Sequence, residues 1–467
     1  MKIKNLLLCI SFLLNTQLSN AQPSQLWGLA AIGGVNGEGT IITADSSGNN
    51  FQAVYSFVNA TGARPWGNLV MANNGKLYGV TEQGGFSNSC VIFSYDPVTN
   101  IYTSIYDYAQ FPQYGWGACS GLTAASNGIL YGLTSSGGAN NGGVIYSVDP
   151  ATDTYQDIYD FSYTTGIGPC GGLLQLSNSL LYGLTSIGGA HSAGTIFSFN
   201  PSNNNFVKLY DLIDSTGKDP QFTNLIQATN GILYGMTQMG GMYNKGVIFS
   251  FDLSINSYIV LHNFNGINGD RPSGSLMQAS SGVLYGMTPI GGAFSIGVIF
   301  SYNINTNTYT KLFDFNGTNG SYPMRSFTQA SNGKLYGTAN SGGLYNIGVI
   351  FSFDISNNIY TNLFDFDGTN GASPNGDIIE IFPSSTSIEA MIQNSNVDIF
   401  PNPVNNLLTL FLNKSDNISI FNLLGETVIQ KNFSSNEKQK VELDVSLLSP
   451  GIYFIKVGNE VRKFVKQ

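Results

Sequence analysis

Charge is scarce in this 467-residue chain: Asp, Glu, Lys and Arg make up 10% of it, and histidine occurs only twice. Basic residues are the rarer kind, 19 against 28 acidic ones. No patch is therefore available to neutralise a phosphate backbone or an anionic membrane, and nucleic acid is excluded as a partner. The imbalance is local: residues 22–381 carry 20 acidic and 9 basic side chains, net −11, whereas residues 382–467 carry 8 of each. His191 and His262 fall in different kinds of segment, which argues against a shared metal, and no Gly-x-Ser-x-Gly elbow supports a Ser-His-Asp triad. Cysteine is limited to Cys9, Cys90, Cys119 and Cys170. Long apolar runs are missing too, since nothing approaches the ~18 residues of a membrane span. The run Leu6 to Leu14, preceded by Lys2 and Lys4 and followed by Ser19-Asn20-Ala21, reads as a secretory signal over residues 1–21, cleaved before Gln22 and taking Cys9 with it.

What is abundant is glycine, 56 residues, with 25 tyrosines and 30 phenylalanines. This is the composition of a glycine-punctuated β protein and not of a disordered one. A Leu-Tyr-Gly signature recurs, and its aromatic anchors Trp27, Tyr78, Tyr131, Tyr182, Tyr234, Tyr285 and Tyr336 are spaced 51, 53, 51, 52, 51 and 51 residues apart. Seven units of near-constant period mark a repeat architecture, in which one unit buries its apolar face only when neighbours stack on it.

Each unit reads as four short strands. In the unit at 272–323, strand a is Ser275 to Ser280 and strand b is Val283 to Thr288. Between them lies Ser-Gly, replaced elsewhere by Asn74-Gly75, Asn127-Gly128, Asn230-Gly231 and Asn332-Gly333, dipeptides suited to two-residue hairpins. A loop follows with a fixed rule. The pairs Gly33-Gly34, Gly84-Gly85, Gly137-Gly138, Gly188-Gly189, Gly240-Gly241, Gly291-Gly292 and Gly342-Gly343 are followed five positions later by Gly39, Cys90, Gly143, Gly194, Gly246, Gly297 and Gly348. This predicts a sharp turn packed near a crowded axis; no helix or Lys-Ser/Thr follows, so it is not a phosphate cradle. Strand c is Gly297 to Tyr302, and strand d ends in Leu312-Phe313-Asp314-Phe315. Apolar residues on both faces of b and c predict burial between neighbouring sheets.

The predicted fold is thus all-β, a seven-bladed β-propeller over residues 22–381. Only five residues separate Gln22 from Trp27, which leaves no room for strand a of the first unit, whereas Ala372 to Ile381 starts a unit that has no strand b. The last strand is expected to complete the first blade and remove the open edges. Cys119 and Cys170 fall at nearly corresponding places in successive units, and whether they form a disulfide is open. Cys90 reads as a small buried residue.

The aromatic pairs Tyr95/Tyr102, Phe199/Phe206, Phe251/Tyr258, Tyr302/Tyr309 and Phe353/Tyr360, each seven apart and each after a Gly-Gly pair, resemble the kelch repeat, with Tyr or Phe where that family has Trp. The whole unit, LYG-x-T-x-x-GG-x4-G-x-IFS, is still more similar to the GloVer (Gloeo/Verruco) tandem repeat of secreted bacterial proteins. That resemblance covers the repeat region and implies little about ligand.

Residues 382–396 read as a polar linker. Beyond it, residues 397–467 hold short alternating runs, Leu407 to Leu412, Ile418 to Leu424, Val428 to Phe433, Val441 to Leu447, Ile452 to Val457 and Val461 to Val465, which suggest a small β-sandwich. Phe400-Pro401-Asn402-Pro403, the stretch Ile420 to Gly425, and Leu448-Ser449-Pro450-Gly451-Ile452-Tyr453-Phe454 resemble the C-terminal sorting domain of the type IX secretion system of Bacteroidetes. The resemblance implies handling by that machinery, export across the outer membrane, and a final place at the cell surface or outside the cell.

For chemistry, Asp107, Asp160, Asp211, Asp314 and Asp365 recur at one strand-d position. Carboxylates repeated around a ring would suit calcium or a glycosidase pair, but a residue repeated in most units is better explained as an acceptor for a turn. Asp365-Phe366-Asp367-Gly368-Thr369-Asn370 resembles a calcium loop without its later Glu, and calcium is the one cofactor entertained. No catalytic residue and no metal ligand is assigned. The b–c and d–a loops share one face, where aromatics suit sugar rings or protein. The ligand-binding candidates are Tyr243, Phe294 and Tyr345 in b–c loops and Trp66, Trp116 and Tyr322 in d–a loops. The function expected is a monomeric, secreted or cell-surface binding or adhesion protein for glycan or protein. The alternatives are a polysaccharide-acting enzyme, glycosidase or lyase, with Asp/Glu in a central channel, and a structural surface protein.

Overall fold

A computed structural model of the chain describes residues 24–382 except 46, 87, 109–115 and 119–120, and residues 399–466 except 413–415, 423–426, 434–438, 450 and 458–459. The signal segment, Cys119 and most of the linker lie outside the described residues. Contacts divide the chain into two compact units, the larger spanning Pro23–Phe382.

The unit around Tyr285 shows the rule. Its strands are Met277–Gln278, Leu284–Thr288, Val298–Asn303 and Thr308–Asp314, antiparallel in the order a–b–c–d. Strand b is buried throughout and strand c nearly so, while strand d alternates between exposed and half-buried residues as an outer edge does. Strand a is only two residues long here, because the preceding residues turn away into the centre of the molecule. Leu-Tyr-Gly owes its glycine to the neighbouring strand: a Cβ on Gly286 would lie 2.5 Å from the ring of Phe300, its cross-strand partner.

The a–b connection differs from the expected two-residue hairpin. Ala72 N donates to Lys76 O and Gly75 N to Ala72 O, and Gly75, at φ 79°, is the residue of that turn with positive φ. That is a three-residue loop with its left-handed glycine last. Asn74 is chosen by its side chain, whose Nδ2 donates to Tyr78 Oη at 2.9 Å while its Oδ1 accepts Lys76 N.

Among the described residues of Pro23–Phe382 there are seven sheets of four or five strands. Each successive pair shares one buried apolar cluster, first with second through to sixth with seventh. A further cluster joins the seventh to the first, with Leu26, Ala30 and Ile42 packed with Ala330, Tyr336 and Ile350. The innermost strand of the first sheet comes from the far end of the region: Ala30 and Ile32 pair with Pro374 and Ala372, and Trp27 pairs with Ile379.

The C-terminal unit holds two sheets, one of Ile399–Phe400, Leu407–Leu412 and Gln439–Asp444, the other of Thr427–Phe433, Asp416–Phe421, Gly451–Val457 and Glu460–Lys466. Leu408, Leu410, Ile418, Ile420, Leu443, Ile455 and Phe464 form its core.

Candidate functional site

The loops that carry the repeat signature turn out to be stitches between sheets. In six of the pairs the second glycine donates its N–H to a d–a loop of the preceding junction: Gly85 to Asn59 O, Gly189 to Tyr163 O, Gly241 to Asp214 O, Gly292 to Gly266 O, Gly343 to Gly317 O, and Gly34 to Gly368 O across the junction of last and first sheets, all at 2.7 to 2.9 Å. Both glycines of each pair have φ between 73° and 91°. The pair does not sit at the axis, as the sequence suggested, but beside the outermost strand: a Cβ on Gly292 would come within 2.4 Å of the Asp314 carboxylate. The same carboxylates hold the loop closed. Asp160, Asp211, Asp314 and Asp365 accept the N–H of Ala139, Ala190, Ala293 and Leu344 at 2.6 to 2.8 Å, and Asn263 does so for Met242. Their repetition is explained by this bond, and they are not channel carboxylates. Around the same outer edge, strand-d aromatics stack from sheet to sheet, as in Tyr159 on Phe206 with centroids 4.3 Å apart. His262 takes an aromatic's place there. It lies 3.8 Å from Tyr309 with the rings nearly parallel, its Nε2 accepts from Asn268, and burial lowers its pKa to about 4.

In one unit the carboxylate latch carries a second acid. Lys208 and Lys311 precede Asp211 and Asp314 by three residues and pair with them at 2.9 and 2.8 Å; in the third unit the corresponding residue is Asp157, before Asp160. Half-burial, and then the charge of Asp160, push the Asp157 carboxyl up to about 7, and its Oδ1 is buried without a hydrogen bond. Because the folded pKa lies above the unfolded one, the native state holds the proton longer. Stability is therefore lost as pH rises from about 4 through 7. Asp157→Lys is expected to raise the stability at pH 8 by on the order of 1–2 kcal/mol after allowance for solvent screening, and to flatten this pH dependence. Thermal unfolding between pH 5 and 8 checks it.

All seven sheets meet at one small polar cavity of about 30 Å³, lined by Asn68, Gly121, Gly172, Asn224, Ser326 and Asp377 among others. Asn68 falls at the register shift within the innermost strand Ala63–Met71 and the others just before the innermost strands, so the cavity marks the axis. Neighbouring units are joined here as well: Ser275 N donates to Ser326 Oγ and Ser326 N to Asp377 Oδ1, both at 2.8 Å. Burial raises the Asp377 pKa, against the opposing influence of Ser326 N–H and Arg325. Trp66 and Phe222, from the second and fifth sheets, meet with centroids 6.0 Å apart, and the Arg325 guanidinium of the seventh lies 4.7 Å from the Trp66 ring. Residues three sheets apart touch only across the axis, so this trio narrows it. Arg325 is held by Asn375 Oδ1 at 3.1 Å from Nε and 3.0 Å from Nη2.

The six residues expected at a ligand thus divide. Tyr243, Phe294 and Tyr345 occupy the same loop position in three successive units and are 52%, 59% and 56% exposed. Tyr322 is 42% exposed, whereas Trp66 is half-buried in the axial trio. Trp116 pairs with Ser136, the register place that Ala63 takes opposite Gln83, three residues before that of Trp66; its side chain lies outside the described residues. Asp367 Oδ1 accepts Thr369 N and Oγ1 and Asn370 N, so the loop once compared with a calcium site is closed on itself. No three metal-binding side chains converge among the described residues. Arg64, Arg271 and Arg325, which the spacing of aromatics did not flag, also belong to the axial segment. The signal that would have found them is that they are the only arginines in residues 22–381.

In the C-terminal unit, Asn402 Oδ1 accepts Val465 N at 2.9 Å and Val404 N donates to Val465 O at 2.8 Å. The Phe400-Pro401-Asn402-Pro403 motif is thereby tied to the terminal strand. Gly451 opens the strand paired with it. No helix among the described residues is long and apolar enough to cross a membrane.

The Gloeobacter/Verrucomicrobia repeat model matches residues 109–277 and 216–386, and the secretion system C-terminal sorting domain model matches residues 398–467. No curated protein matches the sequence. Among solved structures, the periplasmic gluconolactonase of Pseudomonas aeruginosa is 13% identical with a TM-score of 0.50, over 76% of this chain and 99% of that one. A candidate 6-phosphogluconolactonase of Bacteroides fragilis is 14% identical with a TM-score of 0.53, over 78% and 99%. A second, from Bacteroides uniformis, is 16% identical with a TM-score of 0.52, over 77% and 100%. At these identities the likeness shows the fold, a β-propeller, and nothing of the chemistry.

Proposed function

Because the chain belongs to the Gloeobacter/Verrucomicrobia repeat family and ends in a secretion system sorting domain, we propose that it is an exported binding protein, a seven-bladed, kelch-like propeller followed by a small β-sandwich of Bacteroidetes type. The sorting domain sends the protein across the outer membrane to the cell surface or the extracellular space. There the propeller presents the face formed by its b–c and d–a loops to glycan or protein, as a monomer and without turnover. The observation that carries this reading is the exposure of Tyr243, Phe294 and Tyr345 at one loop position of three successive units, since unburied aromatic rings are what sugar faces and protein hot spots engage. Glycan arrays and surface pull-downs with the full chain test it. Binding of a neutral glycan or a surface protein is expected for the wild type and is expected to fall by roughly tenfold or more when the three residues become alanine, with Tm unchanged; retained binding of that ligand overturns the assignment.

A second reading, a polysaccharide-acting enzyme, is favoured by one feature. Asp377 is the single acid of the axial cavity lining, and its raised pKa is the property a general acid needs. Hydrolysis or elimination on a polysaccharide panel, abolished by Asp377→Asn, would establish it in place of the first.

A further inference from the structure

The residue before each proline at the start of strand a recurs in one conformation. Arg64, Asp219, Arg271, Tyr322 and Ser373 have φ of 52°, 52°, 51°, 56° and 49°, a region residues with a Cβ seldom occupy. Each donates its N–H to the b–c loop of the preceding unit: Arg64 to Glu38 O, Asp219 to Ala193 O, Arg271 to Lys245 O, Tyr322 to Ile296 O and Ser373 to Ile347 O, at 2.7 to 3.0 Å. The scaffold therefore sets these side chains at equivalent places of successive units, those of Arg64, Asp219 and Tyr322 within two or three residues of Trp66, Phe222 and Arg325 of the axial trio, and what differs from unit to unit is their chemistry. Sheets six, seven, one and two present Arg271, Tyr322, Ser373 and Arg64; the other three present Gly117, Gly168 and Asp219.

Four successive units thus form an arc that carries an exposed aromatic and a hydroxyl with an exposed arginine at either end, in a region of net charge −11. The lysines near these loops are already engaged: Lys208, Lys218, Lys245 and Lys311 pair with Asp211, Asp214, Asp270 and Asp314. Among the described residues, neither Arg64 nor Arg271 takes part in an ion pair. Asp219, in the neighbouring sheet, is the acid that senses Arg271. We propose that this arc binds an acidic saccharide, with uronate carboxylates on Arg64 and Arg271 and a sugar ring laid on Tyr322. Guanidinium takes a carboxylate through two parallel hydrogen bonds, and a phenol face suits the apolar face of a pyranose. A bare inorganic anion would engage the arginines alone. The proposal rests on the loop face being the binding face and deepens it by placing the acidic ligand at the axis and not at the rim of Tyr243, Phe294 and Tyr345.

Calorimetric titration of the full chain with a uronate trisaccharide, the neutral hexose trisaccharide and inorganic sulfate tests this. The wild type is expected to bind the uronate saturably and at least roughly tenfold more tightly than the other two. Arg64→Asn with Arg271→Asn is expected to weaken it by roughly tenfold or more at unchanged Tm, because asparagine tolerates positive φ. Should that variant fail to fold, Arg64→Lys with Arg271→Lys must still weaken binding, since lysine keeps the charge but not the fork. Changing Tyr243, Phe294 and Tyr345 to alanine should leave uronate affinity unchanged. Wild-type indifference between the three probes, or full affinity without the arginines, overturns the proposal. Loss on the rim variant alone would move the ligand to the rim and leave the binding reading standing.

Discussion

Excising residues 372–381 from the full chain is expected to abolish cooperative unfolding of the repeat region and to lower its Tm by roughly 10 °C or more. These residues supply the inner strand of the first sheet, pairing with Gln25, Leu26, Trp27, Ala30 and Ile32. They also place Ile378, 1% exposed, in the cluster that joins last sheet to first. Burial of Ile378 contributes about 2 kcal/mol and each of the lost ladder and side-chain bonds about 1 kcal/mol. Among the latter, Asn375 leaves Arg325, Asp377 leaves Ser326 N, and Glu380 leaves Ser331 N and Oγ. The strand Gln25–Ile32 would then present an open edge, with aggregation as the visible consequence. Urea unfolding followed by tryptophan fluorescence and far-ultraviolet circular dichroism reads this directly. The milder Ile378→Ala should cost about 2–4 kcal/mol. Unchanged midpoints and slopes in both variants would mean that the sheets form an open stack.

Gly246→Ala is expected to destabilise the same region by roughly 4 kcal/mol or more, or to prevent folding. A Cβ at Gly246 would stand 2.1 Å from Thr237 O and 2.8 Å from Pro272 Cδ, at φ 89°. The first neighbour is backbone and the second a fixed ring, so neither yields cheaply. The contact with the following proline recurs from Gly39 on Pro65 to Gly348 on Pro374. The second unit explains its own exception: Ala118 occupies the register place of that proline, opposite Thr134 as Pro65 is opposite Thr81, and there Cys90 replaces the glycine without positive φ. Cys90→Ala, at the same position of the loop, should cost only about 1 kcal/mol. Thermal denaturation of the two variants side by side measures the contrast.

The period and the four-strand unit were legible because they are written in contacts local to one unit: the alternation of buried residues, the Asn-Gly turns, the glycine opposite Phe300. The supply of the first inner strand by residues 372–381 was legible by arithmetic, since one end of the repeat lacked what the other had in surplus. The place of the Gly-Gly pair was not, because the partners of Gly292, Asp314 in its own strand d and Gly266 in the preceding junction, lie 22 positions after it and 26 before it in sequence. Nor was the axial segment. In most units its residues lie outside the strands, and their proximity arises only when the units converge, so Trp66 looked like a surface aromatic and Arg325 like an isolated charge. Tyr243, Phe294 and Tyr345 were singled out in the sequence because they vary where the loop is otherwise constant, and the structure adds that their side chains are exposed.

That contrast between constant and varying residues is the centre of the account: repeated residues build the fold, and singular ones are proposed to meet the ligand. It is tested most directly by measuring Tm and glycan affinity together on two sets of variants, Asp314→Asn and Asp365→Asn in the repeated latch, and Arg64→Asn with Arg271→Asn in the arc. The latch variants should lower Tm by a few degrees and leave affinity alone, and the arginine variants should do the reverse. Affinity lost with the latch while the arginine variants bind normally would contradict it.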